Sequence, residues 1–476
     1  MDISTFLSAD KSMIIAPAGY GKTYTIADCI ASYDGNKKIL VLTHTHAGVA
    51  SLREKFNQKQ ISPSRYHLET ICSFALDFTH VFHINKAEIP SSSDAGSLFL
   101  FAVEHAAKIL SAGPIKKYIS VKYDHLIVDE YQDCTIAQHQ MIMVLSNTLK
   151  THILGDPLQG IFGFRRESIV DFSDVSFAPF NDNRQTLDIP WRWNNANKNA
   201  LGQELSSIRS NLLSSCAINL QDYTEIELVL AYENEYTTPR SSYKSAIFNA
   251  LRDDSVLLIH PTNASIEPRI KFVQQFPQLK MVESIDDKIF YSSCLSFDNS
   301  SGHPLIAAIV NLMRKVGSKT QINVWFNDAG ILKNKRSLAN QQIRRKLEEI
   351  ITSLVSKKSY TNIALLIESI AKLPDVKIYR TDCLRDICQT LREADRLGIS
   401  ATKSIERNRN ILRQKGRKIQ GRGIGTTLLT KGLEFDTVVV LNAHRFTDKR
   451  HLYVALTRCC KRLIIVSNNP ILNPNQ

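Results

Sequence analysis

The chain has 476 residues, 43% of them hydrophobic, which is enough for two or three domains with ordinary cores. Lys and Arg outnumber Asp and Glu by 59 to 46, so the formal charge of +13 favours a polyanionic partner, nucleic acid ahead of an anionic membrane surface. No run approaches the roughly 18 consecutive apolar residues of a membrane helix, residues 1–10 lack the pattern of a signal peptide, and the nine cysteines form neither a CxxC pair nor a familiar zinc spacing. A membrane protein and a disulfide scaffold are thereby excluded, and a cytoplasmic protein with buried, reduced thiols is expected.

In chain order, residues 12–16 read as a short apolar strand, 23–32 as a helix, 38–43 as a strand and 47–56 as a helix. That alternation belongs to a parallel sheet. The Ser/Asp/Gly-rich stretch 91–97 reads as a loop or small insertion. Residues 125–129 (HLIVD) and 151–155 (THILG) are further apolar strands ending where polar residues begin, the edge at which open α/β sheets bind ligands. A break at 180–183 precedes a new strand and helix pattern. From 285 to 422 the composition turns to charged, helix-favouring segments such as 341–355 and 379–397, closing with a basic run from 403 to 422. Apolar strands return at 437–441 (TVVVL) and 462–466 (RLIIV). The expected organisation is a first α/β domain over 1–180 with a reduced insertion near 80–120. A second α/β domain would cover 181–284 and 423–476, interrupted by a mainly helical insertion over 285–422.

Ala16-Pro17-Ala18-Gly19-Tyr20-Gly21-Lys22-Thr23 lies between a strand and a helix, the setting of a phosphate-binding loop. Backbone N–H groups from Ala18 to Tyr24 would face phosphate oxygens, Lys22 would reach the β and γ phosphates, and Thr23 would place its hydroxyl on Mg²⁺. The strict pattern begins with Gly where this chain has Ala16, and an ordinary tight turn is the competing reading. Asp129 and Glu130 follow the strand LIV, so Asp129 would hold Mg²⁺ through water and Glu130 would polarise the attacking water. Adjacent acids on a solvated turn are the alternative there.

Taken together, these blocks resemble UvrD-like superfamily 1 helicases. APAGYGKT is similar to their motif I, DEYQD (Asp129 to Asp133) to motif II and GDPLQGIFGFR (Gly155 to Arg165) to motif III. Pro190-Trp191-Arg192 resembles motif IV, TTLLTKGLEFD (Thr426 to Asp436) motif V, and LYVALTR (Leu452 to Arg458) motif VI, all in the family's order. The resemblance implies two RecA-like domains clasping ATP and Mg²⁺, with Gln159 sensing the γ-phosphate and Arg192 and Arg458 acting as arginine fingers. It also implies Trp191 stacked on adenine, with a plain core position as the alternative, Glu434 coupling the second domain to the nucleotide, and Gln132 and Tyr453 relaying its state.

For the nucleic acid, Thr43, His44 and His46 stand in the place of motif Ia, Thr70 in motif Ib and Thr426 in motif V. Phe164 would stack on a base or else fill a core. The basic residues between Arg407 and Arg422 fit a strand path or a solvated helix face equally. The sequence also departs from the family. No glutamine precedes Gln58, so the usual adenine reader is missing, and His44, His46, Cys72 and Leu428 replace familiar strand-contacting or coupling residues. About 50 residues separate motifs Ib and II, leaving little space for the usual insertion. The resemblance implies a DNA-stimulated ATPase translocating 3′ to 5′ on single-stranded or tailed DNA. Compact relatives include the helicase-like subunit of Gabija-type phage defence systems, which implies a nuclease partner. The alternatives are a nucleotide-gated regulatory subunit of such a complex and a nucleic-acid-binding protein with a decayed ATPase.

Overall fold

The computed structural model describes residues 2–90, 95–162, 168–283, 288–415 and 421–474. The chain divides into two compact units, residues 1–261 with 414–416 and 430–476, and residues 262–413 with 417–429. In the first unit, β1 (Lys11–Ile15), β2 (Lys38–Thr43), β3 (Tyr66–Thr70), β4 (Tyr123–Val128), β5 (Lys150–Gly155) and β6 (Arg184–Thr186) form a parallel sheet in the order β3-β2-β4-β5-β1-β6. β1 and β2 are buried along nearly their whole length, as strands covered by helices on both faces must be, which is why they read as unbroken apolar runs.

Two expectations shift. β6 pairs with β1, Met13 facing Arg184, so the first sheet continues past residue 180, where its domain was expected to close. The side of β1 away from β5 has backbone groups to satisfy, and β6 supplies them. A helix already begins at Ala95, inside the stretch read as a loop, because Ala102, Val103, Ala106 and Leu110 give it a buried face. Residues 91–94 of that stretch lie outside the described residues.

The later strands are β7 (Ile218–Asn219), β8 (Ile226–Leu230), β9 (Val256–Ile259), β10 (Lys280–Met281), β11 (Arg422–Gly425), β12 (Phe435–Val440), β13 (Cys459–Ser467) and β14 (Ile471–Leu472). Within the first unit β9, β12, β13 and β8 are neighbours in that order, all parallel, and β7 with β14 forms a small antiparallel pair. The fold class is therefore α/β, with two parallel RecA-like sheets.

The second unit is mainly helical. Helices Gly302–Val316, Leu338–Ser356, Tyr360–Ala371 and Thr381–Leu397 share one core around Ile309, Leu347, Ile367 and Leu391, and β10 pairs with β11. Carboxylates tie its helix starts. Asp298 accepts from the N–H groups of Ala401 and Thr402 at 2.9 Å each, and Asp395 accepts from Thr361 N–H at 2.6 Å. Among the described residues no single helix is long and apolar enough to cross a membrane. No disulfide links the cysteines; most are buried thiols, but Cys216 is exposed.

Candidate nucleotide site

β1 ends at Ile15, and the chain turns through residues 16–21 into the helix Lys22–Ser32. Gly19 and Gly21 make that turn possible, with φ of +80° and +87°. A Cβ on Gly19 would come within 2.9 Å of the Trp193 ring, and one on Gly21 within 3.1 Å of Trp191. The loop leads into the unsatisfied N–H groups of the helix start, which suits an anion.

Lys22 opens the helix, and its Nζ lies 3.0 Å from Asp129 Oδ1 and 2.5 Å from Glu130 Oε1. Burial works against the Lys22 charge, yet Asp129 and Glu130 outweigh it and hold the ammonium above its ordinary range. The two acids respond oppositely to one cation. Burial and the Glu130 charge push Asp129 up, whereas for Glu130 burial is overcome by Lys22 and Lys431, which bring it down to about 2. Glu130 also has φ of +54°, a left-handed conformation costing a non-glycine residue of order 1–3 kcal/mol and concentrated at functional sites. Its N–H donates to Asp129 Oδ1 at 2.9 Å, and its carboxylate accepts from Gln132 Nε2.

The other wall comes from the second sheet and the short helix Trp191–Asn195. Arg192 N–H donates to Gly19 O at 3.0 Å, fastening that helix to the phosphate loop. The Arg192 guanidinium donates to Thr457 O and, at 2.6 Å, to Glu434 Oε1. Arg458 is buried, donating to Val454 O at 3.0 Å and Leu433 O at 3.4 Å. Burial and the neighbouring Arg192 lower it to about 10, with Glu434 and Glu130 opposing. Arg458 thus responds to Arg192, Glu434 and Glu130, and Glu130 in turn to Lys22.

Gln159, in the turn Pro157–Gln159, donates through Nε2 to Asp156 Oδ2 at 2.9 Å. Lys431 bonds to Asp133 and, at 2.5 Å, to Gln159 O, while burial raises Asp133 to about 6 despite that lysine. Trp191 is 48% exposed and Trp193 is 1% exposed, so the core tryptophan is Trp193 and Trp191 is left at the loop. Tyr20 is buried, edge-on to Trp193 at 6.5 Å, and Tyr24 is half-exposed with Lys55 Nζ 4.5 Å from its ring. Tyr453 OH accepts from Ala18 N–H at 3.2 Å. Thr23, second in the helix, offers a hydroxyl and Asp129 a carboxylate, hard oxygens of the kind Mg²⁺ takes.

The residues expected to meet nucleic acid are less uniform. Thr43 is buried at the end of β2. His44 stacks on Phe162, with centroids 6.1 Å apart, and burial together with Lys431 lowers it to about 4, so it carries no charge near neutrality. His46 begins the helix His46–Gln58. Thr70 is a helix cap: its Oγ1 accepts from Ser73 N–H at 3.0 Å. Thr426 is buried in the second unit. Phe164 lies outside the described residues, as do Arg417 and Lys418 of the basic run.

Sequence reasoning assigned no role to Lys431, Asp133, Asp156 or Arg209. Lys431 sits three residues before Glu434 in the same motif, a signal that was available. For Arg209 the signal was fainter, an arginine at helical spacing among Leu201, Leu205, Ile208 and Leu212.

A family model described as AAA domain matches residues 2–165. Over 119 residues the chain is 29% identical to an ATP-dependent helicase/nuclease protein from Streptococcus sanguinis, a stretch covering 25% of this chain and 9% of that protein. A protein of the same description from Lactococcus lactis subsp. cremoris is 27% identical over 171 residues, 34% of this chain and 13% of its own length. The chain thus matches only a small part of these relatives. Among solved structures, Pif1 helicase from Candida albicans overlaps 98% of this chain and 93% of its own at 13% identity, with a TM-score of 0.42.

Proposed function

We propose that this chain is an ATP-hydrolysing motor of the UvrD/Rep-like superfamily 1 type that translocates 3′ to 5′ on DNA, a reading supported by the AAA-domain match and the helicase/nuclease relatives. The observation that carries this reading is the Lys22 ammonium held between Asp129 and Glu130, with Glu130 and Arg192 in turn acting on the buried Arg458. A triphosphate in the loop draws Lys22 from the acids to its β and γ oxygens. Glu130, released from that ammonium, is then free to polarise water. Arg192 and Arg458 stabilise charge spread over the transferring phosphoryl group, and Gln159 senses its presence. Mg²⁺, held by Thr23 and Asp129, would supply charge neutralisation at the phosphate oxygens. Trp191, exposed beside Gly21, is the ring on which adenine stacks. Steady-state ATP hydrolysis with and without single-stranded DNA is the test. Stimulation by DNA and loss of turnover in Lys22→Ala and Glu130→Gln are expected, and turnover that survives both substitutions refutes the site.

The second reading is a nucleotide-gated, DNA-binding regulatory component of a nuclease complex, as in Gabija-type defence. It is favoured by the commitment of Thr70 to helix capping and by the neutral His44, both at positions expected to grip the strand. Strand displacement on a 3′-tailed duplex separates the two, because unwinding by the isolated protein excludes a purely regulatory role.

A further inference from the structure

Arg209 lies on the helix Asn199–Leu213 and points with that helix's apolar face into the first unit, where a lone charge is not tolerated. Its Nη1 is 2.8 Å from Asp156 Oδ1 and 2.9 Å from Oδ2, and Asp156 is fully buried. The same carboxylate accepts from Gln159 Nε2 at 2.9 Å and Leu158 N–H at 3.2 Å. The Asp156 N–H donates to Gln132 Oε1 at 3.0 Å, and Gln132 Nε2 donates onward to Glu130. On its other side the Arg209 guanidinium lies 5.2 Å from the centroid of the Tyr453 ring, whose hydroxyl accepts from Ala18 N–H of the phosphate loop. Burial alone would weaken the Arg209 charge, but Asp156 raises its proton affinity above the ordinary guanidinium range.

From this arrangement we infer that Arg209 is a positioning residue for nucleotide hydrolysis, acting through Asp156 to orient Gln159 and Gln132 and reading the phosphate loop through Tyr453. The inference rests on the ATPase reading above. The Asp156 carboxylate, paired with Arg209, holds the Gln159 amide by its nitrogen, leaving the amide oxygen as the acceptor. The Asp156 backbone fixes Gln132 by its oxygen, so Gln132 can only donate to Glu130. Both amides are therefore set in one orientation around Asp156, whose carboxylate Arg209 holds in place. When a phosphate oxygen takes the Ala18 N–H, Tyr453 loses its donor while still packed on Arg209. Loop occupancy is thereby passed to the pair that aligns the γ-phosphate side.

The test is ATP hydrolysis by the full chain with Mg²⁺, comparing wild type, Lys22→Ala, Arg209→Lys and the double variant Arg209→Met with Asp156→Asn. The double variant removes both charges, so neither is stranded in the interior. If it folds, kcat falls about 10²-fold while KM for ATP stays within about threefold, the pattern of lost alignment rather than lost binding. Arg209→Lys keeps the charge but not the planar group over Tyr453, so kcat falls about tenfold at unchanged KM and near-wild-type Tm. Wild-type kcat in Arg209→Lys, or in a folded double variant, overturns the inference, and if the double variant does not fold, Arg209→Lys alone decides. Turnover abolished by Lys22→Ala but untouched by the Arg209 variants defeats only this inference. A wild-type protein without turnover defeats the ATPase reading as well.

Discussion

Residues 262–413 and 417–429 carry 28 Lys and Arg against 15 Asp and Glu, whereas the rest of the chain carries 31 of each. The whole excess of +13 therefore belongs to the mainly helical unit, and the α/β unit is neutral. In the α/β unit the charges that matter are buried against each other, Lys22 with Asp129 and Glu130, Arg209 with Asp156, and Lys431 with Asp133. In the helical unit one such pair, Arg380 with Glu283 at 3.1 Å, is buried, while Arg345, Lys346, Lys357 and Arg396 stand exposed. Twelve of the thirteen histidines also fall in the α/β unit. Hydrolysis needs charges paired where water is excluded, because only there are they strong and fixed. Attraction of a polyanion needs an unpaired surplus facing solvent.

The largest effects that test this division are kinetic. Lys22→Ala and Glu130→Gln should each lower ATP turnover by about 10²–10⁴-fold in a steady-state assay, without altering affinity for DNA at fixed salt. A fall in DNA affinity as steep as the fall in turnover would break the division. Next in size, Arg380→Met strands Glu283 in the helical interior and should cost that unit about 3–5 kcal/mol in chemical denaturation, while turnover without DNA persists. Replacing Arg345, Lys346, Lys357 and Arg396 together by Gln should weaken single-strand binding about 10–10²-fold at low salt and flatten the dependence of log K on log salt, with DNA-free turnover unchanged. An unchanged salt slope would place the strand elsewhere.

The smallest effect concerns pH and separates the units by histidine. His152 and His125 are buried and bonded Nε2 to Nδ1 at 2.8 Å, and burial first, then Lys150 and, for His152, His125, lowers both below the ordinary range. Folded-state values below the unfolded value mean that the unfolded chain takes up protons first as pH falls. Stability is thus full above about pH 6.5 and declines beneath it as the unfolded chain takes up protons. Denaturation curves at pH 7.5 and 5.5 should show the α/β unit weakening and the helical unit, with His303 alone, holding. Glu130, lowered to about 2, contributes in a different window, losing its stabilisation only as pH falls from its unfolded value near 4.5 towards 2.

Much of the α/β unit was legible beforehand because its signals are local. A strand buried on both faces is an apolar run, a left-handed loop needs Gly19 and Gly21, and acids after a strand end land beside that loop. What escaped depends on contacts far apart in the chain. Trp191 and Trp193 are two residues apart on one short helix and so face different ways, but only packing against Gly19 and Gly21 decides which ring is buried. Phe162 stacks on His44 although nothing in the local pattern singles it out. Thr70 looks like a strand contact in its motif, yet the start of the helix Ile71–Phe82 claims its hydroxyl.

Residue order alone carries the case for the proposed chemistry, since phosphate loops, acidic boxes and arginine fingers are short segments recognised by residue type and spacing. Tertiary structure alone decided how those segments address one another. The ionisation of Glu130, the depressed Arg458 and the pairing of Asp156 with Arg209 come from burial and from charges hundreds or dozens of residues away, and Coulomb forces depend on distance through space rather than along the chain.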